Sequence, residues 1–164
     1  MIAAQVNVLF VCSDNAVLSI MAESILKGIA PDRFGVFSAG CLPRAALDDY
    51  VLQLLKAHHL PVLGAHPKGL HAARFPTAPK MDFIITLSDV AAEEPWAGWA
   101  GEPLVAHWQV WDRDAAAPVT PDARVRDAFW TLRRRIQIFA SLLQRKLSPP
   151  ILQRRARTLS PSYL

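Results

Sequence analysis

Near its start the chain carries a run of mostly β-branched and other apolar residues, Val6 to Val11 with Asn7 as its one polar member, which ends at Cys12. Apolar positions then recur at helical spacing, at Leu18, Met21, Ala22, Ile25, Leu26 and Ile29, until Pro31. An apolar run without alternation marks a strand buried on both faces, and the spacing after it marks an amphipathic helix. The unit then repeats. Phe34 to Ser38 predicts a second strand, and Leu47, Val51, Leu54, Leu55 and His58 line one face of a second helix that stops before Pro61. A connection with Pro and His follows, holding at most a short helix near Lys68 to Arg74. Met81 to Leu87 predicts a third strand and Leu104 to Trp108 a fourth. In the long final helix, Asp122 stands near the start and Val125, Phe129, Leu132, Ile136, Phe139 and Leu143 share a face. Strands alternating with helices predict an α/β fold, a doubly wound four-stranded parallel sheet with helices on both faces. Ligands of such sheets sit at the carboxyl ends of the strands, where Cys12, Cys41, Ser88 and Asp112 are expected to converge.

Composition narrows the class. With 164 residues, 52% of them apolar, the chain is expected to form one domain over residues 1–146, followed by a basic Pro- and Ser-containing tail at 147–164. No apolar run approaches the roughly 20 residues that span a bilayer, and the N-terminus lacks the features of a signal peptide, so a cytoplasmic location is expected. Two cysteines are too few for a disulfide scaffold. The net charge of +4 is unevenly placed: Arg145, Lys146, Arg154, Arg155 and Arg157 lie in the last twenty residues with no acid among them. Residues 1–144 hold 13 basic and 14 acidic groups, so a nucleic-acid partner is not expected of the body. The tail reads as a solvated extension, with an anion- or nucleic-acid-binding arm as the alternative. Its Tyr163 and Leu164 allow docking on a neighbouring chain.

The candidate chemistry lies at Cys12. A loop between a strand and a helix aims free backbone N–H groups and the positive end of the helix dipole at one point, which suits a tetrahedral anion. A cysteine there is expected to be acidic and nucleophilic. The alternative for a single cysteine is an inert thiol that packs as a small apolar group.

Cys12, Asn15, Ser19, Met21, Ala22 and Glu23 match a loop spelled C-x-x-N-x-x-R-S followed by M-A-E, apart from Leu18 at the arginine. With Ser38-Ala39-Gly40, Pro43-Arg44, Asp82-Phe83-Ile84-Ile85-Thr86, Asp89 to Glu94, His107-Trp108 and Asp112, this resembles the low-molecular-weight protein tyrosine phosphatases and the related thioredoxin-coupled arsenate reductases. The likeness extends in order to about Lys146. It implies that Ser13, Asp14, Asn15, Ala16, Val17 and Leu18 form the anion loop. It further implies Cys12 as nucleophile, Ser19 as the hydroxyl that steadies its thiolate, Asn15 as the residue holding an unusual loop backbone, and Asp112 as general acid. A phosphate-like oxyanion or a phosphoprotein is the implied partner, with self-association a further expectation.

Leu18 departs from the pattern, offering neither charge nor a forked donor to an anion that gains charge as it transfers. Loss of a phosphate-clamping arginine costs on the order of 10³–10⁵ in rate. Asp14 stands where the family usually has Gly or His, and its carboxylate repels an anion. Arg113, after Asp112, is a candidate compensating charge, with a surface ion pair to Asp112 or Asp114 as its alternative. The reductase relay needs further cysteines, but Ser88 and the Glu93-Glu94-Pro95 stretch occupy their positions, and serine forms no disulfide. Cys41 is a possible substitute, or else a thiol facing the core. His58, His59, His66, His71 and His107 lack zinc-ligand spacing, so neither a metal nor a cofactor is expected. His107 and Trp108 are expected to position the Asp112 loop, and Trp96, Trp99 and Trp111 to pack, with pocket walls or self-association as the alternative. Two functions stay open: a catalytically impaired member acting as a binding or regulatory protein, and a weakly active cysteine-dependent phosphatase or arsenate reductase.

Overall fold

The computed structural model describes residues 5–74, 77–111 and 120–144. Among these lie strands β1 (Val6–Cys12), β2 (Phe34–Gly40), β3 (Phe83–Thr86) and β4 (Leu104–His107), and helices α1 (Leu18–Ile29), α2 (Asp49–Ala57), α3 (Asp89–Ala92) and α4 (Pro121–Gln144). A 3-10 turn spans Leu70–Arg74. The strands are all parallel, in the order β2-β1-β3-β4. Val6 pairs with Phe34 and Cys12 with Gly40 on one side of β1, while Val8 pairs with Phe83 and Val11 with Thr86 on the other. The chain leaves β1 toward one edge and later returns to its other side. The switch of direction thus falls between β1 and β3, at whose carboxyl ends sheets of this type bind their ligands.

The apolar run of β1 fills two cores. Val8 and Phe10 face the larger one, built with α1, α2 and α4, while Leu9 and Val11 face a smaller one closed by Leu70, Ala91 and Trp99. Trp108 is fully buried in the larger core, with its ring 6.3 Å from that of Phe10 and 5.9 Å from that of Phe139. The doubly wound parallel sheet expected from the alternating pattern is the fold observed. The two faces are unequal: among the described residues, the second is covered by the 3-10 turn, the short α3 and the Trp96–Trp99 loop.

Details differ at the strand ends. Cys12 is the last residue of β1 rather than the first of the loop, because β2 runs on to Gly40 and keeps the ladder paired. The third strand, expected over Met81 to Leu87, is the shorter Phe83–Thr86. Four-residue α3 was not expected; it begins at Ser88, whose hydroxyl caps it by accepting the Ala91 N–H at 3.3 Å. A single turn shows no period, so periodicity misses it. Among the described residues no helix is long and apolar enough to cross a membrane. The 147–164 tail lies outside the described residues.

Gly40 lets the sheet approach the loop closely. A Cβ built there stands 2.8 Å from the Asn15 nitrogen and 2.9 Å from the Asp14 carbonyl carbon, both backbone atoms that cannot give. We expect Gly40→Ala to lower stability by about 1–3 kcal/mol, as overpacking does, measured by urea unfolding; an unchanged midpoint would contradict this packing.

Candidate functional site

Between β1 and α1 the chain turns through Ser13 to Val17, and Asn15 makes the turn possible. It adopts a left-handed backbone, φ +48°, which asparagine tolerates better than most residues. Its side chain is fully buried and works at both ends: Nδ2 donates to Ser19 Oγ at 2.7 Å, and Oδ1 accepts the Lys68 backbone N–H at 2.7 Å. Lys68 also donates from Nζ to the His66 carbonyl and lies 3.6 Å from Glu23, whose carboxylate takes the Ser38 hydroxyl. The M-A-E glutamate thus braces the segment that holds Asn15. On the other flank, residues 41–44 continue the ladder beyond the strands: Cys41 N–H bonds the Cys12 carbonyl, Leu42 N–H that of Ser13 and Arg44 N–H that of Asp14, at 3.1, 2.8 and 2.9 Å.

The Cys12 sulfur sits inside this frame with three polar neighbours, Ser19 Oγ at 2.9 Å, the Asn15 N–H at 3.3 Å and Asp14 Oδ1 at 3.5 Å. Because Ser19 Oγ already accepts from Asn15, its own hydrogen is free for the sulfur. Those two donors favour a thiolate, but burial and the Asp14 carboxylate oppose it. Burial is the larger effect and pushes the Cys12 thiol up from its ordinary value; Ser19 and the Asn15 amide pull it down by less. These surroundings favour the opposite direction from the acidic thiol expected of the loop type. A protonated Cys12 fits its neighbours: the S–H faces the Asp14 carboxylate while the sulfur accepts from Ser19 and Asn15.

Asp14 reaches back into the loop. Oδ1 accepts the Ala16 N–H at 3.1 Å, while Oδ2 pairs with Arg44 Nη2 at 3.1 Å. Val17, at the N-cap of α1, offers no side-chain acceptor to the first turn. Leu18 opens the helix and is 3% exposed, packed in the larger core with Ile20, Met21 and the sheet. Burying a leucine contributes roughly 1.5–3 kcal/mol. Position 18 therefore serves the core and sends no cation into the loop.

Other expected residues distribute as follows. Ser13 Oγ donates to Ser88 Oγ at 3.1 Å, so the loops after β1 and β3 touch. Cys41 does not join Cys12: its side chain packs against the smaller core, while Cys12 belongs to the larger one on the opposite face. Burial and the neighbouring Glu94 push the Cys41 thiol up to about 11. His107 Nδ1 lies 2.8 Å from Thr86 Oγ1 at the sheet's carboxyl end. Trp96 and Trp99 pack together on the second face, 5.4 Å between ring centroids, and Trp111 lies under Arg124. Asp112 and Arg113 lie outside the described residues. Two contributors had escaped sequence reasoning, Lys68 and Arg44. Lys68 holds Asn15 through a backbone N–H, which leaves no trace in a motif; Arg44 appeared only as part of a matching dipeptide.

We expect the ultraviolet thiolate titration of Cys12, followed in a Cys41→Ser background, to show a midpoint above the ordinary value of about 8.5. Asp14→Asn should lower that midpoint. A midpoint below about 7.5 in the parent would contradict the burial argument.

Known structures share this fold. The thioredoxin-dependent arsenate reductase of Corynebacterium glutamicum superposes with a TM-score of 0.65 at 22% identity, covering 90% of this chain, which spans 66% of that reductase. YfkJ from Bacillus subtilis gives 0.66 at 16% identity over 89% of this chain and 99% of its own. The tyrosine phosphatase AmsI of Erwinia amylovora gives 0.63 at 17% identity, with coverages of 87% and 96%. Among curated proteins none matches the sequence. The family model for low molecular weight phosphotyrosine protein phosphatases matches residues 7–102, more than half of the chain. With its parallel sheet and its Cys12–Ser19 loop, the chain thus belongs to the low-molecular-weight phosphotyrosine protein phosphatase family.

Proposed function

We propose that this chain is a catalytically impaired member of its family, one that keeps the oxyanion cradle but acts as a binding or regulatory protein. The observation that carries this reading is the buried Leu18. A phosphoryl group in transfer spreads negative charge over its equatorial oxygens, and a forked guanidinium is the group that meets it. Here the position that begins α1 supplies a core side chain instead. A Cys12 thiol held in its protonated form is a poor nucleophile, which adds to the loss. Nothing comparable has happened to the frame. Asn15, Ser19 and the Cys12 sulfur remain in mutual hydrogen-bond contact, so the cradle is folded without being armed.

A thioredoxin-coupled reductase role has less support. Such chemistry passes a disulfide outward through further thiols, and the whole chain has two cysteines, which pack on opposite faces of the sheet. Ser88 instead caps α3. A weakly active phosphatase using Cys12 as nucleophile and Asp112 as general acid is the competing reading, favoured by the intact Cys12–Ser19 contact.

Hydrolysis of a generic aryl phosphate separates the two. The parent should turn over no faster than Cys12→Ser, while Leu18→Arg should raise turnover by at least about tenfold over that blank. Melting curves for each variant report whether the fold survives the change at position 18. Turnover by the parent above the Cys12→Ser blank would overturn the impaired-enzyme reading.

A further inference from the structure

The anion that the Cys12 loop meets in this structure is the chain's own. We infer that the Asp14 carboxylate is an internal ligand of the loop, and that displacing it exposes an oxyanion site clamped by Arg44. This rests on the reading of the loop as an oxyanion cradle and adds to it what fills the cradle and what replaces the missing arginine. A phosphate bound there needs contact with the Cys12 sulfur, loop N–H groups and a cation. Asp14 already takes one of each. Oδ1 stands 3.5 Å from the Cys12 sulfur and 3.1 Å from the Ala16 nitrogen, and Oδ2 is 3.1 Å from Arg44 Nη2.

A carboxylate on the loop itself is a competitor at an effective concentration on the order of millimolar or above, so a free oxyanion of similar intrinsic affinity loses to it. It also repels any second anion brought beside it. Arg44 does not depend on Asp14's side chain for its place. Its backbone N–H bonds the Asp14 carbonyl at 2.9 Å, next to the bonds from Cys41 and Leu42 that zip residues 41–44 onto the loop. With the carboxylate gone, the guanidinium stays tethered at the loop's edge. It is 55% exposed, so it is free to turn onto an incoming anion. A guanidinium is also the group best shaped to grip two oxygens of a phosphate. Position 18, where the family arginine would stand, is thus not the only place from which a forked cation can reach this cradle.

Inorganic phosphate is the probe, titrated by calorimetry at low ionic strength into the parent, Asp14→Ser, Asp14→Asn and Asp14→Ser with Arg44→Met. We expect Asp14→Ser to bind phosphate at least about tenfold more tightly than the parent, and Arg44→Met in that background to lose at least about tenfold again, as removal of a charge-assisted hydrogen bond does. Asp14→Asn keeps the size of the side chain and an acceptor for the Ala16 N–H while removing the charge. It guards against a loop that collapses in the serine variant, and should also bind more tightly than the parent. No gain in either Asp14 variant overturns the inference, and so does an Asp14→Ser affinity indifferent to Arg44. These outcomes concern binding alone; parent turnover of an aryl phosphate strikes the impaired-enzyme reading without deciding this one.

Discussion

The site hangs on Asn15. In a left-handed backbone conformation it turns the chain between the end of β1 and the start of α1, and its backbone N–H and both ends of its side-chain amide are engaged in the process. Its N–H reaches the Cys12 sulfur, its Nδ2 fixes Ser19, and its Oδ1 takes the Lys68 amide from the segment running beside β2. One buried side chain thereby ties together a strand, a helix and a flanking loop. A buried amide left unpaired costs about 1–3 kcal/mol, so these bonds hold one another in place. Gly40 completes the arrangement by leaving room for the Asn15 and Asp14 backbone against the sheet.

That frame needs no charge at its centre, so the fold can persist without the chemistry, as we propose for this chain. Leu18 gains apolar contacts at the first position of α1 without disturbing the loop, and Asp14 takes the Ala16 N–H and the Arg44 guanidinium. Both residues lower the positive potential at the Cys12 sulfur while contributing to order, the first through the core and the second through Ala16 and Arg44. The fold carries many activities and enforces none of them.

Much of the fold was legible from the spacing of apolar residues. The period of Leu18, Met21, Ile25 and Ile29 marks α1, and the unbroken apolar run from Val8 marks the central strand, since burial on both faces leaves that signature. What escaped was short or depended on neighbours distant in sequence. α3 has one turn and so no period. The third strand stops at Thr86, where its pairing with Val11 ends. At the site, the spacing of Cys12, Asn15 and Ser19 was enough to bring them together. The direction of the thiol's shift was not readable, because a motif implies the donors around a sulfur but not its burial. Lys68 acts through its backbone, and the packing of Cys12 and Cys41 in different cores depends on neighbours distant in sequence.

The central claim is that the loop is folded and already filled from within. A crystal structure of the parent grown in inorganic phosphate tests it most directly. We expect the Asp14 carboxylate bonded to the Ala16 amide and Arg44, with no phosphate at the Cys12 sulfur. Phosphate seated against that sulfur, with Asp14 turned out to solvent, would contradict it.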